Sequence, residues 1–353
     1  MTTTTNGVAQ TTLTASTAAG TTVVTATVST VSGTTTVVFA PGPPATMTLV
    51  ASPISIPIGG ATSAITATVR DPYGNFVANG TGMSFATGLG TFQQSGSPTY
   101  NTTTTDGVAT ATLVSGLSIG IAQVSAMAGG VLRVREVTFT IGPPHYVTVT
   151  TLPTNIPIVN GSSTVTAIVR DVGNNAVVDG TVVTFATSLG RISPLTATTI
   201  SGLALATLTS GTRTGTAIMT ATVDSRVGTT NVTFTTPYPP ELVVVTADPT
   251  QIPADGTSNS AIVVTVTEIY GNPVADGITV YFFVTAGATI APSSAPTVGG
   301  IARATLTAGT TPTTVTVRVV AGSRLGYADV VLHAAPLHKL YLPVLYKNHG
   351  SGW

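Results

Sequence analysis

Along most of the chain, apolar and polar residues alternate one by one. Ile65, Ala67 and Val69 are interleaved with Thr66, Thr68 and Arg70, and Ala109, Ala111 and Leu113 with Thr110 and Thr112. Val137, Phe139 and Ile141 alternate with Thr138 and Thr140 in the same way. A period of two gives a strand one buried face and one wet face. Val and Thr, the residues used most in these runs, are β-branched and suit a pleated surface. Gly, Asn, Asp and Pro separate the runs at roughly the 8–12-residue spacing of a sandwich, and no helical period competes. About seven short strands in about 100 residues is an immunoglobulin-like layout.

The pattern is itself repeated. Pro43-Pro44, Pro143-Pro144 and Pro239-Pro240 recur at steps of 100 and 96 residues, and Ile56-Pro57, Ile156-Pro157 and Ile252-Pro253 keep the same phase. "VRDPYGNFVANGT", "VRDVGNNAVVDGT" and "VTEIYGNPVADGI" align without a gap, followed by equivalent Phe85, Phe185 and Phe282. The N-terminus enters this pattern halfway: "TTTTNGVAQTTLTAS" matches "TTTTDGVATATLVSG" one hundred positions later, and Phe39 matches Phe139. The expected organisation is therefore the C-terminal half of a repeat over 1–42, immunoglobulin-like domains over 43–142, 143–238 and 239–335, and a tail over 336–353. The half-repeat predicts that the chain is a piece of a longer protein, with an unpaired sheet edge that promotes self-association.

Composition narrows the function classes. Charged residues are only 7% of the chain and the formal net charge is zero, so the basic patch of a nucleic-acid binder is missing. No apolar run of about 18 residues predicts a membrane-crossing helix. With no cysteine, disulfides, thiolate metal sites and cysteine nucleophiles are excluded. The N-terminal sequence has neither the basic nor the apolar region of a secretory signal.

The recurring motifs resemble the group 1 bacterial immunoglobulin-like domains of invasin and intimin. The resemblance is carried by "SPISIPIGGATSAITATVRDPYGNFVANGTGMSF" with "TTTTDGVATATL", by their counterparts in the second repeat, and by "ADPTQIPADGTSNSAIVVTVTEIYGNPVADGITVYF" in the third. It covers residues 1 to about 335. It implies an all-β chain of tandem sandwiches forming an elongated rod, at the bacterial surface or outside the cell, acting as a spacer or in adhesion. The partner it implies is an unidentified surface or extracellular protein or carbohydrate. The membrane barrel and the disulfide-bearing lectin-like tip of invasin-type proteins have no counterpart here, so the resemblance reaches the stalk and not the tip.

Candidate chemistry is sparse. Asp71, Asp171 and Glu268 precede Gly-Asn-type turns, and Asp179 and Asp276 follow in two of the repeats, where the first has Asn79. Calcium needs about six to eight oxygens, whereas each repeat supplies one or two acids. Asx-turn chemistry is the reading preferred for these residues, with a calcium clip between domains as the alternative. The histidines His145, His333, His338 and His349 match no metal-binding spacing. No nucleophile elbow or phosphate loop occurs, so neither a catalytic site nor a cofactor is expected. Two other function classes stay open. One is a ligand-binding module, for which Tyr73, Phe76, Phe92, Tyr100 and Tyr270 are the candidate aromatics. The other is the accessory region of a larger secreted enzyme. The tail departs from the repeat. Its apolar run Tyr341, Leu342, Val344, Leu345 and Tyr346 lies between Lys339 and Lys347, the only two lysines. It reads either as a partner contact or as an apron on the last sandwich.

Overall fold

The computed structural model of the protein describes residues 2–334. Each complete repeat folds as two facing sheets. In the first, one sheet carries Thr46–Ser52, Thr62–Arg70, Val108–Val114 and Thr91–Phe92 in that order. The other carries Ser55–Pro57, Val131–Thr140, Gly120–Ala128, Gly82–Thr87 and Thr99–Thr103. The same order recurs in the next two repeats, ending with Gly215–Val223 and Arg226–Thr235 in the second and Thr313–Ala321 and Arg324–His333 in the third. The chain is all-β, built of tandem immunoglobulin-like sandwiches.

Each repeat has nine strand segments rather than about seven. The opening strand is divided between the two sheets, and the short Thr91–Phe92 and Thr99–Thr103 pair one to each sheet. The division falls at Pro53, Pro153 and Pro249, each preceded by a cis bond. The residue after the crossing then pairs parallel with the last strand, as Ser55 does with Thr138. Proline cannot donate to a ladder, and its carbonyl here is used instead. Buried Ser63, Ser163 and Ser260 donate their hydroxyls to the Pro53, Pro153 and Pro249 carbonyls at 2.6, 2.7 and 2.7 Å.

The alternation read from the sequence fills the space between the sheets. Ile65, Leu113, Phe85 and Phe139 meet in the first core, Val165, Leu208, Phe185 and Phe234 in the second, and Ile262, Leu306, Phe282 and Leu332 in the third. Full burial of each such side chain contributes about 1.5–3 kcal/mol. Residues Gly20–Val28 and Val31–Phe39 form a two-stranded hairpin in the register of Gly120–Ala128 and Val131–Thr140. Its sheet has no other strand among the described residues, so Val28 and Val31 are exposed and Phe39 is only half-buried where Phe139 and Phe234 are fully buried.

Candidate functional site

An acid and, four residues on, an asparagine recur at the turns after Thr62–Arg70 and its equivalents, where one domain meets the one before it. The turn closes on itself through Gly74 N–H to the Asp71 carbonyl at 3.1 Å and Asp71 N–H to the Asn75 carbonyl at 2.9 Å. Gly74 and Gly271 take φ of 87° and 82°, and the second repeat fills the same left-handed position with Asn174 at 65°. Asn is among the few residues with a side chain that enter that region readily.

The acid at the head of each turn is buried and surrounded by donors. Asp71 accepts from the N–H groups of Tyr73 and Asn75 at 2.9 Å each and from the Asn75 carboxamide at 2.9 Å. It also takes the N–H of Gly42, in the linker leading into the domain, at 2.9 Å. Asp171 does the same, accepting from Gly142 at 3.0 Å, from Asn175 N–H at 2.8 Å and from the Asn175 carboxamide at 3.1 Å. The Asn75 carboxamide, with the Gly42, Asn75 and Tyr73 N–H groups, holds Asp71 at about 2 rather than 3.8, against the opposing effect of burial. At Asp171 burial is the largest influence and raises the pKa. The N–H groups of Gly142 and Asn175 and the Asn175 carboxamide together outweigh it, so the carboxyl is lowered.

The asparagine four residues after the acid, still within the turn, then reaches across the junction. Asn75 Nδ2 donates to the Thr17 carbonyl at 2.8 Å while its Oδ1 accepts from Ala19 N–H at 3.1 Å. Asn272 repeats the pair on the second repeat, donating to the Thr212 carbonyl at 2.7 Å and accepting from Thr214 N–H at 3.0 Å. Glu268 orients it, accepting from the Asn272 N–H at 2.9 Å and from the Asn272 carboxamide. The buried acid therefore fixes the asparagine, and the asparagine grips two backbone groups of the preceding domain. The middle junction is closed by contact instead. A Cβ on Gly173 would lie 2.2 Å from the Leu117 carbonyl oxygen, so the backbones touch where the other two repeats place Tyr73 and Tyr270. In the third junction the linker residue Tyr238 packs edge-on against Tyr270, with ring centroids 5.4 Å apart.

Asp179 and Asp276 occupy a different turn. Their carboxylates accept from Ser201 N–H at 2.6 Å and Gly299 N–H at 2.7 Å, and Asn79 accepts from Asp106 N–H at 2.6 Å in the same way. What this position supplies is an acceptor oxygen, which Asn provides as well as Asp, and so the acid is interchangeable there. Among the described residues no three His, Cys, Asp or Glu side chains gather as a metal-binding group. Among the loop aromatics, Phe92 is fully buried with Phe85 and half-buried Tyr100 beside it. Tyr73 is exposed, and exposed Phe76 lies under the Arg70 guanidinium at 3.9 Å. The apolar run Tyr341–Tyr346 lies outside the described residues. No helix among them is long and apolar enough to cross a membrane.

The model of the family "Invasin, domain 3" matches three times in tandem, over residues 43–142, 144–237 and 240–334. The chain belongs to the invasin domain 3 family. No curated protein matches the sequence. Solved structures similar to it include invasin, described as a bacterial integrin-binding protein, at 21% identity and a TM-score of 0.40, over 83% of this chain and 61% of that one. InvD of Yersinia pseudotuberculosis is 22% identical, with a TM-score of 0.37 over 81% and 96% of the two chains. The Escherichia coli adhesin FdeC is 18% identical, with a TM-score of 0.35 over 84% and 100%. The chain thus spans about three-fifths of the invasin structure. The three invasin-type domains share the turn acid and the asparagine that follows it, and in the first and third of them the asparagine bridges to the preceding domain.

Proposed function

We propose that this chain is a non-catalytic stalk of an extracellular bacterial adhesin, whose tandem domains hold a binding element away from the cell surface. The observation that carries this reading is the hydrogen-bonded grip of Asn75 and Asn272 on the domain before each. A chain that needed only to tether would have no use for an ordered junction. Short Pro-Pro linkers add to it, since the polyproline geometry they favour is extended and stiff. Strands of about ten residues at roughly 3.3 Å each make a domain about 35 Å long, so three complete domains stacked end to end span roughly 100 Å. The binding element and its partner, a surface protein or glycan, belong to the parent adhesin.

Small-angle scattering on residues 43–353, with and without calcium, tests the stalk. The expected result is an elongated particle with a maximum dimension of about 100 Å or more, unchanged by calcium, because the junction acids are already occupied by N–H donors. A compact particle overturns the spacer reading. A flexible particle that straightens only with calcium overturns the hydrogen-bonded junction and makes Asp71, Asp171, Asp179, Glu268 and Asp276 the ligands.

A further inference from the structure

The second repeat carries two arginines that the other repeats lack, and both line one cavity. Arg191 opens the edge strand Arg191–Ser193 and pairs with Thr209. Arg213 lies four residues after Thr209, in the loop leading to Gly215–Val223. The cavity they share measures about 770 Å³, and Asn160, Ser193, Thr209 and Thr212 add neutral polar groups to its lining. The ladder position of Arg191 holds Thr91 in the first repeat and Thr289 in the third. The loop position of Arg213 holds Ser118 and Thr311. Both changes to arginine thus fall in one repeat and on one cavity.

No carboxylate lines this cavity, and among the described residues the one ion pair joins Arg324 to Glu241, in the third repeat. Glu268, behind the neighbouring junction, is buried and takes the N–H groups of Tyr270 and Asn272 and the Asn272 carboxamide. Two like charges on one cavity repel each other, and an anion between them replaces that repulsion with attraction. Guanidinium groups match carboxylates and tetrahedral oxyanions through paired N–H donors. The walls are also fixed in advance. Thr212 and Thr214, on either side of Arg213, are both bonded to Asn272, and Val159 N–H donates to the Gly211 carbonyl at 2.7 Å. Gly190, at φ 77°, lets the edge strand lie so close that a Cβ there would meet the Thr209 carbonyl oxygen at 2.5 Å. An arginine on an anchored loop has less freedom to lose on binding.

We infer that this cavity binds an acidic sugar, a ring bearing a carboxylate or a sulfate, with its anion between Arg191 and Arg213. The anionic group follows from two arginines that share a cavity with no acid. The hydroxylated ring follows from the rest of the lining, where Asn160, Ser193, Thr209 and Thr212 supply neutral donors and acceptors. The volume falls within the roughly 300–1,000 Å³ of pockets that enclose small ligands. The stalk then carries a contact of its own, beside the element it holds out.

Titration of the full chain, followed by amide NMR, tests the site. The probes are a heparin-derived disaccharide carrying sulfate and carboxylate, a hyaluronan disaccharide carrying carboxylate alone, lactose, and inorganic sulfate. The heparin disaccharide should shift amides within residues 190–193 and 209–213. Binding of the hyaluronan disaccharide as well makes the carboxylate sufficient, and its failure beside heparin binding assigns the sulfate. The combined variant Arg191→Thr and Arg213→Ser should weaken binding about tenfold or more. Those are the residues the first repeat carries, and both arginines are exposed, so the sandwich is expected to fold; an unchanged melt verifies it. Arg303→Thr, on the third repeat, should leave the affinity as it was. Equal affinity of the combined variant overturns the inference, and so does lactose binding as tightly as the acidic disaccharides. Inorganic sulfate binding as tightly as either disaccharide also overturns it, because the cavity would then hold an ion and no sugar. Failure of both acidic disaccharides to bind overturns it too, and leaves the stalk reading to stand on its scattering profile.

Discussion

Asn272 donates from its carboxamide to the Thr212 carbonyl at 2.7 Å, joining residues sixty positions apart in two successive domains. The same side chain is held from behind by Glu268, so its orientation is set before the neighbouring domain arrives. A surface asparagine free to rotate would lose side-chain entropy on making this contact; one already fixed by a buried acid loses less. Replacement by alanine should therefore loosen the junction more than it destabilises either sandwich. Asn272→Ala is expected to remove about 1–2 kcal/mol of coupling between the second and third domains. Guanidinium unfolding of the two-domain segment 143–334 would show it as separation of transitions that coincide in the parent.

Gly173 provides a sharper test, because its role is steric. A methyl group there meets the Leu117 carbonyl at 2.2 Å and Ile58 Cδ1 at 2.7 Å, both in the preceding domain. Gly173→Ala should force the first and second domains apart while leaving both sandwiches folded, with Ile58 at the end of the first core the buried side chain that must shift. The expected reading is an unchanged far-ultraviolet spectrum together with increased hydrogen exchange at Leu117 and in the Val172–Asn175 turn. Unaltered exchange would show that the two backbones do not touch in solution.

The fold was legible because one rule governs nearly every core position. The alternation of Ile65, Ala67 and Val69 with threonine and arginine is the same statement as their burial, and Phe85, Phe185 and Phe282 recur at matching depth. The junction was only half legible. Turn chemistry could be read from Asp71 and Gly74, since an Asx turn is a local affair. The grip of Asn75 on Thr17 could not, because period-two reasoning says nothing of contacts between domains. The available signal was the recurrence of Asn75, Asn175 and Asn272 at one phase of the repeat, which turn chemistry alone does not require. The nine segments escaped for a related reason: a strand that changes sheets at Pro53 keeps its alternation and reads as continuous.

Acid should release the junction before it melts the cores. Asp71 is held at about 2, below the ordinary 3.8, and Asp171 is lowered as well. A carboxyl whose pKa falls on folding stabilises the native arrangement fully above its unfolded value, and the contribution is lost as pH drops through the folded one. For Asp71 that window runs from about 3.8 down to about 2. Scattering profiles of residues 2–334, extrapolated to zero concentration, should be constant from neutral pH to about 4 and show increasing bending below it. The profile of Asp171→Asn should already be bent at neutral pH at the Gly142 junction. A bending transition centred above pH 5 would point to some group other than these carboxylates.

The N-terminal hairpin should make the chain associate. Val23, Val28, Val31 and Val38 are 59, 68, 74 and 70% exposed, and Gly20–Val28 offers a free edge where Gly120–Ala128 is paired with Gly82–Thr87. Unpaired backbone N–H and C=O groups along such an edge recruit another strand, and the exposed valines on both hairpin faces reward the pairing with apolar burial. The chain from residue 2 should show concentration-dependent sedimentation, and a chain starting at Pro43 should not. A single lysine on the edge strand, Val24→Lys, should reduce association without deleting any residue, because a charge in the pairing strand must be desolvated to form the intermolecular sheet. Equal association of the shortened chain would move the sticky surface elsewhere.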